Sequence, residues 1–198
     1  MSLRVTSLVI TYLALYFLPL SVSLAKELEI FPSGTDFQKI VNLKDRSHAW
    51  ATCYAMDKAL ASRKNTEPTQ SQQREKLAEA TKLIIMMTLL DDPNLWREDQ
   101  RNALSVVWTA NKIVSERSSE YIRLMTQIQQ ELGAKEFAKN FNRTRRVCES
   151  NSIGGLQIVK DFEERVHAQD KKAIMLAEIM EKSSINWVLT PKFSMKPQ

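Results

Sequence analysis

Residues 104–132, LSVVWTANKIVSERSSEYIRLMTQIQQEL, decide the fold class of this chain. Their seam positions alternate between intervals of three and four residues, a period typical of one long α-helix. The seam residues are Leu104, Val107, Asn111, Val114, Ser118, Tyr121, Met125, Ile128 and Leu132. Gly133 follows, where glycine commonly ends a helix. The alternative is a break near residues 115–119, because two seam positions are polar.

The segments on either side also have helical patterns. The predicted helices span residues 35–64, 70–90, 93–132, 134–148 and 156–183, with a loop at 149–155. The run 83–90, LIIMMTLL, is apolar nearly all round, which predicts a helix covered on several sides. The chain has only four glycines and is rich in strong helix formers. We therefore predict an all-α fold, a single-domain bundle of about five helices over residues 26–183 with a C-terminal tail at 184–198.

The first 25 residues have the three parts of a secretory signal peptide. Arg4 belongs to a positive n-region, residues 5–18 are apolar, and Ser23 and Ala25 are small residues at the −3 and −1 positions. We expect cleavage after Ala25 and a mature protein in the periplasm or secreted from the cell. The alternative is an uncleaved anchor, because residues 3–24 approach the roughly 20 residues that a spanning helix needs. No stable membrane span is expected after cleavage.

The chain contains two cysteines, Cys53 and Cys148, each on the apolar face of a predicted helix. In an oxidising compartment these thiols can pair, so the sequence predicts one disulfide between them. Two buried free thiols are the alternative. Arg145 and Arg146 adjoin Cys148, but neither can act as the base that a nucleophilic cysteine requires.

The densest charge feature is a basic cluster near the second cysteine. Its members are Lys135, Lys139, Arg143, Arg145 and Arg146. The first three recur every four residues and so form one stripe along a helix. We predict that Lys135, Lys139, Arg143 and Arg146, with Trp187 of the tail, contact a protein partner. The alternative is the solvated side of an amphipathic helix. The formal net charge of +5 is mixed along the chain, which does not favour a nucleic-acid partner.

No catalytic or nucleotide-binding motif occurs in the sequence. His48 and His167 each follow a carboxylate by three residues, but the seams of the middle helices lack the glutamates of a di-iron bundle. No cofactor is expected. The predicted function is that of an exported, non-enzymatic protein that binds another protein, such as an inhibitor, an immunity-like protein or an envelope accessory factor. The alternative is a haem-, metal- or small-molecule-binding bundle, with or without enzymatic activity, that uses His48 or His167.

Overall fold

The computed structural model describes residues 30–32, 34–63, 67–95 and 101–182, and within these ranges it contains helices and no strand. The all-α prediction is confirmed for this part of the chain. A 3-10 turn, Phe37–Lys39, precedes helices α1 (Leu43–Ala61), α2 (Pro68–Leu89), α3 (Arg101–His167) and α4 (Lys171–Lys182). These described ranges thus hold four α-helices, not the predicted five. The predicted signal peptide at 1–25 and the tail at 184–198 lie outside the described residues.

The helix count differs because α3 is longer than any helix predicted. It runs for 67 residues and is kinked at Gly133, which has φ 82° and ψ 176°. Glycine adopts a positive φ without steric cost, so the chain changes direction there. The kink divides α3 into a first arm, 101–132, and a second arm, 134–167. The predicted loop at 149–155 is wrong, because the second arm stays helical through it.

Close packing explains why a glycine stands at position 155 inside this helix. A Cβ added to Gly155 would lie 2.7 Å from Ile84 Cδ1 and 3.0 Å from the ring of Trp50. Glycine is therefore the residue that lets the second arm approach α1 and α2.

The helix predicted over 156–183 is interrupted in the structure, because Gln169 has φ 60° in the turn between α3 and α4.

Helix α1 packs against both α2 and α3 and supplies much of the core. Trp50, Cys53 and Met56 of α1 are each at most 3% exposed. Every residue from 83 to 90 is buried, as the apolar run predicts. The start of α1 differs from prediction: Asp36 caps only the 3-10 turn, and the side chain of Asn42 caps α1.

The first arm of α3 buries a face that differs from the predicted seam at its N-terminal end. Val107 and Val114 are buried as predicted, but Leu104 is 57% exposed. The other buried residues there are Ala103, Val106, Ala110 and Ile113. An ideal helix drifts by about 20° per heptad from a strict seven-residue repeat, so the buried face rotates along a long helix. The predicted helix start at residue 93 also fails, because residues 93–95 form a turn; 96–100 lie outside the described residues.

An ion-pair network joins the ends of three helices. Arg165 of α3 donates to both carboxylate oxygens of Asp91, at 2.8 and 3.1 Å, and also contacts Asp170 at 3.0 Å. Asp170 Oδ1 in turn accepts hydrogen bonds from the backbone N–H groups of Lys172 and Ala173 and so caps α4.

Within the described residues, no helix combines the length and the hydropathy that crossing a membrane requires.

Candidate functional site

The disulfide predicted from the sequence is present. Cys53 of α1 and Cys148 of the second arm are joined with Sγ atoms 2.04 Å apart, and both are buried. The bond ties the second arm to α1 at the residue after Val147. It therefore holds in place the stretch of α3 that carries the basic cluster.

A groove lies along this stretch of α3. Its volume is about 520 Å³, and its lining residues are Gly34, Lys139, Asn142, Arg143, Arg146, Val147 and Ser150. Three of them are cationic, and they follow one another on a single face of the helix. With a rise of about 1.5 Å per residue, they are spaced roughly 6 and 4.5 Å apart along the helix axis. The groove thus presents a row of three positive charges over about 10 Å.

The opposite wall of the groove belongs to the segment that precedes α1, and Asn151 holds it against α3. The Asn151 Oδ1 atom accepts a hydrogen bond from the Phe37 backbone N–H at 2.7 Å. Its Nδ2 group donates to the Thr35 carbonyl at 2.9 Å and to the Val147 carbonyl at 2.8 Å. This clamp fixes the backbone next to Gly34, which has φ 76° and no atom within 4 Å of an added Cβ. The groove is therefore a product of tertiary structure rather than of one helix.

The charge of the groove is only partly compensated by other described residues. Lys139 pairs with Glu136 at 3.1 Å, but these side chains are 57% and 36% exposed, and ion pairs accessible to water are weak. Arg146 is exposed and forms no ion pair with another described residue. No acidic side chain is among the described residues that line the groove. A carboxylate or phosphate that entered would meet positive charge and the Asn142 amide, whereas the Ser150 hydroxyl already donates to the Val147 carbonyl at 2.9 Å.

The face of α3 that lines the groove continues beyond it as an apolar surface. Residues 139, 143, 146, 150 and 153 recur at intervals of four and three, so all five share one face. Ile153 at the end of this series is 78% exposed, and neighbouring Leu156 is 58% exposed. Large aliphatic side chains this exposed leave apolar area that a partner can cover.

Three of the five residues predicted to contact a partner line the groove. Lys139, Arg143 and Arg146 lie together in the groove, whereas Lys135 is exposed on the same arm without lining it. Trp187 lies outside the described residues. The other lining residues were not predicted as contact residues, and they are Gly34, Asn142, Val147 and Ser150. Asn151, which joins the two walls, was not predicted either. Asn142 and Val147 lie in the helix predicted over 134–148, and their spacing of three and four residues from Lys139 and Arg143 was the available signal. Ser150 and Asn151 fall in the loop predicted at 149–155, which hid their place on the same helix.

The two histidines lie apart from this groove. His48 is half-buried in α1, and burial, Arg117 and Lys44 lower its pKa. His167 is exposed at the C-terminal end of α3. Among the residues that the structure describes, no three His, Cys, Asp or Glu side chains are grouped to hold a metal ion.

The buried carboxylate of Asp57 pairs with Arg74, which is partly exposed. Asp57 is 6% exposed, and its Oδ1 atom lies 2.9 Å from Arg74 Nη1, which joins α1 to α2. Burial raises the pKa of this carboxyl, and the Arg74 hydrogen bond opposes the shift. The pair connects two helices and does not line the groove.

No family model, curated protein or solved structure matches this chain. The geometry of the groove is therefore the observation on which a function rests.

Proposed function

We propose that this chain is an exported, non-enzymatic helical protein that binds another protein, and that the groove receives an acidic segment of that partner. The observation that carries the proposal is the row formed by Lys139, Arg143 and Arg146 in a groove without a described acidic side chain. Arginine binds carboxylates through two parallel hydrogen bonds and is enriched at protein interfaces. The signal-peptide pattern of residues 1–25 supports binding in the periplasm or outside the cell.

The surface around the groove supports a protein segment as the ligand. A partner that follows the helix face from Lys139 towards Ile153 meets cations first and exposed aliphatic side chains afterwards. A chain with carboxylates followed by an apolar residue matches both parts. Covering Ile153 and Leu156 adds apolar burial to the charge contacts, and the charges supply orientation. An inhibitor, an immunity-like protein or an accessory factor of the cell envelope would act in this way.

Site-specific cross-linking in the producing cell tests the proposal. A photoreactive amino acid at Asn142, which is exposed in the groove, is compared with one at Gln129, which is exposed on the first arm. We expect an adduct with one partner protein only from position 142. We also expect that R143E/R146E abolishes this adduct, and that the chain fractionates outside the cytoplasm.

Three results would contradict the proposal. An adduct that survives the charge reversal would place the partner on another feature of the surface. Equal adducts from positions 142 and 129 would indicate non-specific proximity. A chain retained in the cytosol with residues 1–25 attached would remove the proposed compartment.

A further inference from the structure

We propose that the first arm of α3 is a dimerisation surface, against which the first arm of a second copy of this chain packs in the antiparallel direction. The surface, called the outer face, consists of six exposed residues: Leu104, Trp108, Ser115, Ser119, Ile122 and Thr126. The inference goes beyond the proposed function, because the outer face shares no residue with the groove.

Three large apolar side chains of the outer face are more than half exposed. Leu104 is 57% exposed, Trp108 is 65% exposed and Ile122 is 57% exposed. At about 100° of rotation per residue, all six residues of the outer face lie within an arc of roughly 60°. Exposed apolar area that follows one side of a helix in this way is typical of a protein interaction surface.

Charged residues flank the outer face on one edge. Lys112, Glu116 and Arg123 are exposed, and they are rotated by roughly 80–120° from Leu104 around the helix axis. The six residues of the outer face include no ionisable side chain. An uncharged centre beside a charged rim is the pattern of an interface rather than of a solvated helix side.

The order of large and small residues along the outer face is self-complementary. In a two-fold interface, residue i contacts residue j of the second copy and j contacts i. A two-fold axis near position 113 places Leu104 opposite Ile122 of the second copy, each about 13–14 Å from the axis. The same axis places Trp108 opposite Ser119, each about 8–9 Å from it. A parallel pair would instead set Trp108 against Trp108 and Ser119 against Ser119, which crowds one position and leaves the other unfilled.

Ser119 provides the space that the Trp108 ring of the second copy requires. Its side chain is small, and its Oγ atom donates a hydrogen bond to the Ser115 carbonyl at 3.1 Å. The hydroxyl therefore keeps this hydrogen bond when an apolar ring covers it, and the cost of burying an unsatisfied polar group is avoided.

The charged edge is complementary in the same register. Antiparallel packing brings the same edge of both copies together, with Lys112 about 2 Å on one side of the axis and Glu116 about 4 Å on the other. Each Lys112 can therefore reach Glu116 of the second copy. Within one chain these two groups are 3.9 Å apart and more than half exposed, so their mutual ion pair is weak and does not prevent this contact.

The size of the outer face indicates a weak dimer. From position 104 to position 126 the helix rises about 33 Å, and a contact one helix wide covers roughly 330 Å² on each copy. Twice this area is below the roughly 1,200 Å² that a stable interface buries in total. We therefore expect monomer and dimer to exchange, with dimer forming at micromolar concentrations.

A charge swap tests both the contact and its register. L104E and I122K each set a charge against an aliphatic side chain of the second copy, so each variant alone should self-associate at least about tenfold more weakly than the wild type. A mixture of the two variants should form dimers again, because the introduced charges then face each other. Sedimentation equilibrium of the full chain from about 1 to 100 μM measures the association. V41E and I153K, at exposed apolar positions outside the first arm, are the matched controls and should associate like the wild type.

Cysteine pairing measures the direction of packing. Asn111 and Ser115 are exposed and lie about 3 Å on either side of the proposed axis. Mild oxidation of a mixture of N111C and S115C should give covalent dimers in which position 111 is joined to position 115, identified by tryptic mass spectrometry. Parallel packing would join each position to itself.

Several results would overturn the inference. These are a wild type that stays monomeric at every concentration, an L104E variant that associates as the wild type does, a mixture that associates no better than its components, and covalent dimers joined mainly between identical positions. A monomeric wild type whose urea midpoint falls on L104E substitution would show that another segment of the same chain covers the outer face. Binding of an acidic peptide to the groove should be equal in L104E and the wild type, so failure of the dimer leaves the proposed function intact.

Discussion

Asn151 Oδ1 accepts a hydrogen bond from the backbone N–H of Phe37 at 2.7 Å, although 114 residues separate them along the chain. The same amide donates to the carbonyls of Thr35 and Val147. Asn151 is 6% exposed, so these contacts are shielded from water. One side chain therefore holds the two walls of the groove together.

Replacing this amide should disturb stability and binding together. N151A leaves the Phe37 N–H and the Thr35 carbonyl without their described partner, and a buried unsatisfied polar group costs about 1–3 kcal/mol. We expect a loss of this size in the free energy of unfolding from urea titration, with weaker binding of an acidic peptide. N142A, at an exposed position of the groove, should change stability by less than about 0.5 kcal/mol. Equal stability of N151A and the wild type would refute the clamp.

The disulfide should be a large contributor to stability. Cys53 and Cys148 are 95 residues apart, and a cross-link that closes a long loop typically contributes about 2–4 kcal/mol. We expect the double variant C53S/C148S to unfold at a clearly lower urea concentration than the oxidised wild type. Reductant should lower the midpoint of the wild type but not that of the variant. Coincident unfolding curves would show that the bond adds nothing.

Two adjacent glycines provide a matched test of the packing of α3. A Cβ at Gly154 would meet the end of the Gln38 side chain, which is exposed and can move away. G154A should therefore stabilise the helix, by about 0.5–1 kcal/mol. G155A would press on Ile84 and Trp50, and overpacking of this kind costs about 1–3 kcal/mol, which exceeds the helix gain. Thermal unfolding should rank G154A above the wild type and G155A below it; the reverse order would contradict the close approach.

The buried carboxyl of Asp57 predicts a pH dependence. Burial raises its pKa above the ordinary value of 3.8, and the hydrogen bond from Arg74 only partly opposes this shift. The folded state therefore binds the proton more tightly than the unfolded state, so this group lowers the free energy of unfolding as the pH rises through the interval between the two pKa values.

The variant D57N isolates this contribution. Because asparagine does not ionise, the free energy of unfolding of D57N minus that of the wild type should increase as the pH rises from 4 upwards. Urea titrations at several pH values measure the difference. A difference that stays constant, or that shrinks with pH, would show that the native carboxylate is stabilised rather than destabilised.

Local pattern was sufficient for part of this fold. The all-α class, the buried run 83–90 and the pairing of Cys53 with Cys148 follow from spacing and composition, and the described residues confirm them. Gly133, predicted to end a helix, is the residue at which α3 is kinked. The stripe predicted from helical spacing was Lys135, Lys139 and Arg143; the last two line the groove together with Arg146, and Lys135 does not. Each of these features depends on residues within a few helical turns or on the count of cysteines.

The features that could not be predicted depend on distant contacts. Residues 149–155 contain polar residues and two glycines, so their local propensity favours a loop, and packing of Gly155 against Trp50 and Ile84 overrides it. The second wall of the groove requires Asn151 to meet Phe37, and no local pattern indicates that contact. The groove requires that α3 stay helical through residues 149–155, because Ser150 in that stretch is part of its lining.

Titration of an acidic peptide into two charge-reversed variants tests the central claim most directly. The peptide carries carboxylates at alternate positions and a terminal leucine; the variants are R143E/R146E and K76E/R123E, which change net charge equally. Lys76 and Arg123 are exposed outside the groove. The account predicts that R143E/R146E loses at least about tenfold in affinity, or about 1.4 kcal/mol, and that K76E/R123E stays close to the wild type. Equal losses in both variants, or no loss in the first, would contradict a specific acidic-segment site in the groove.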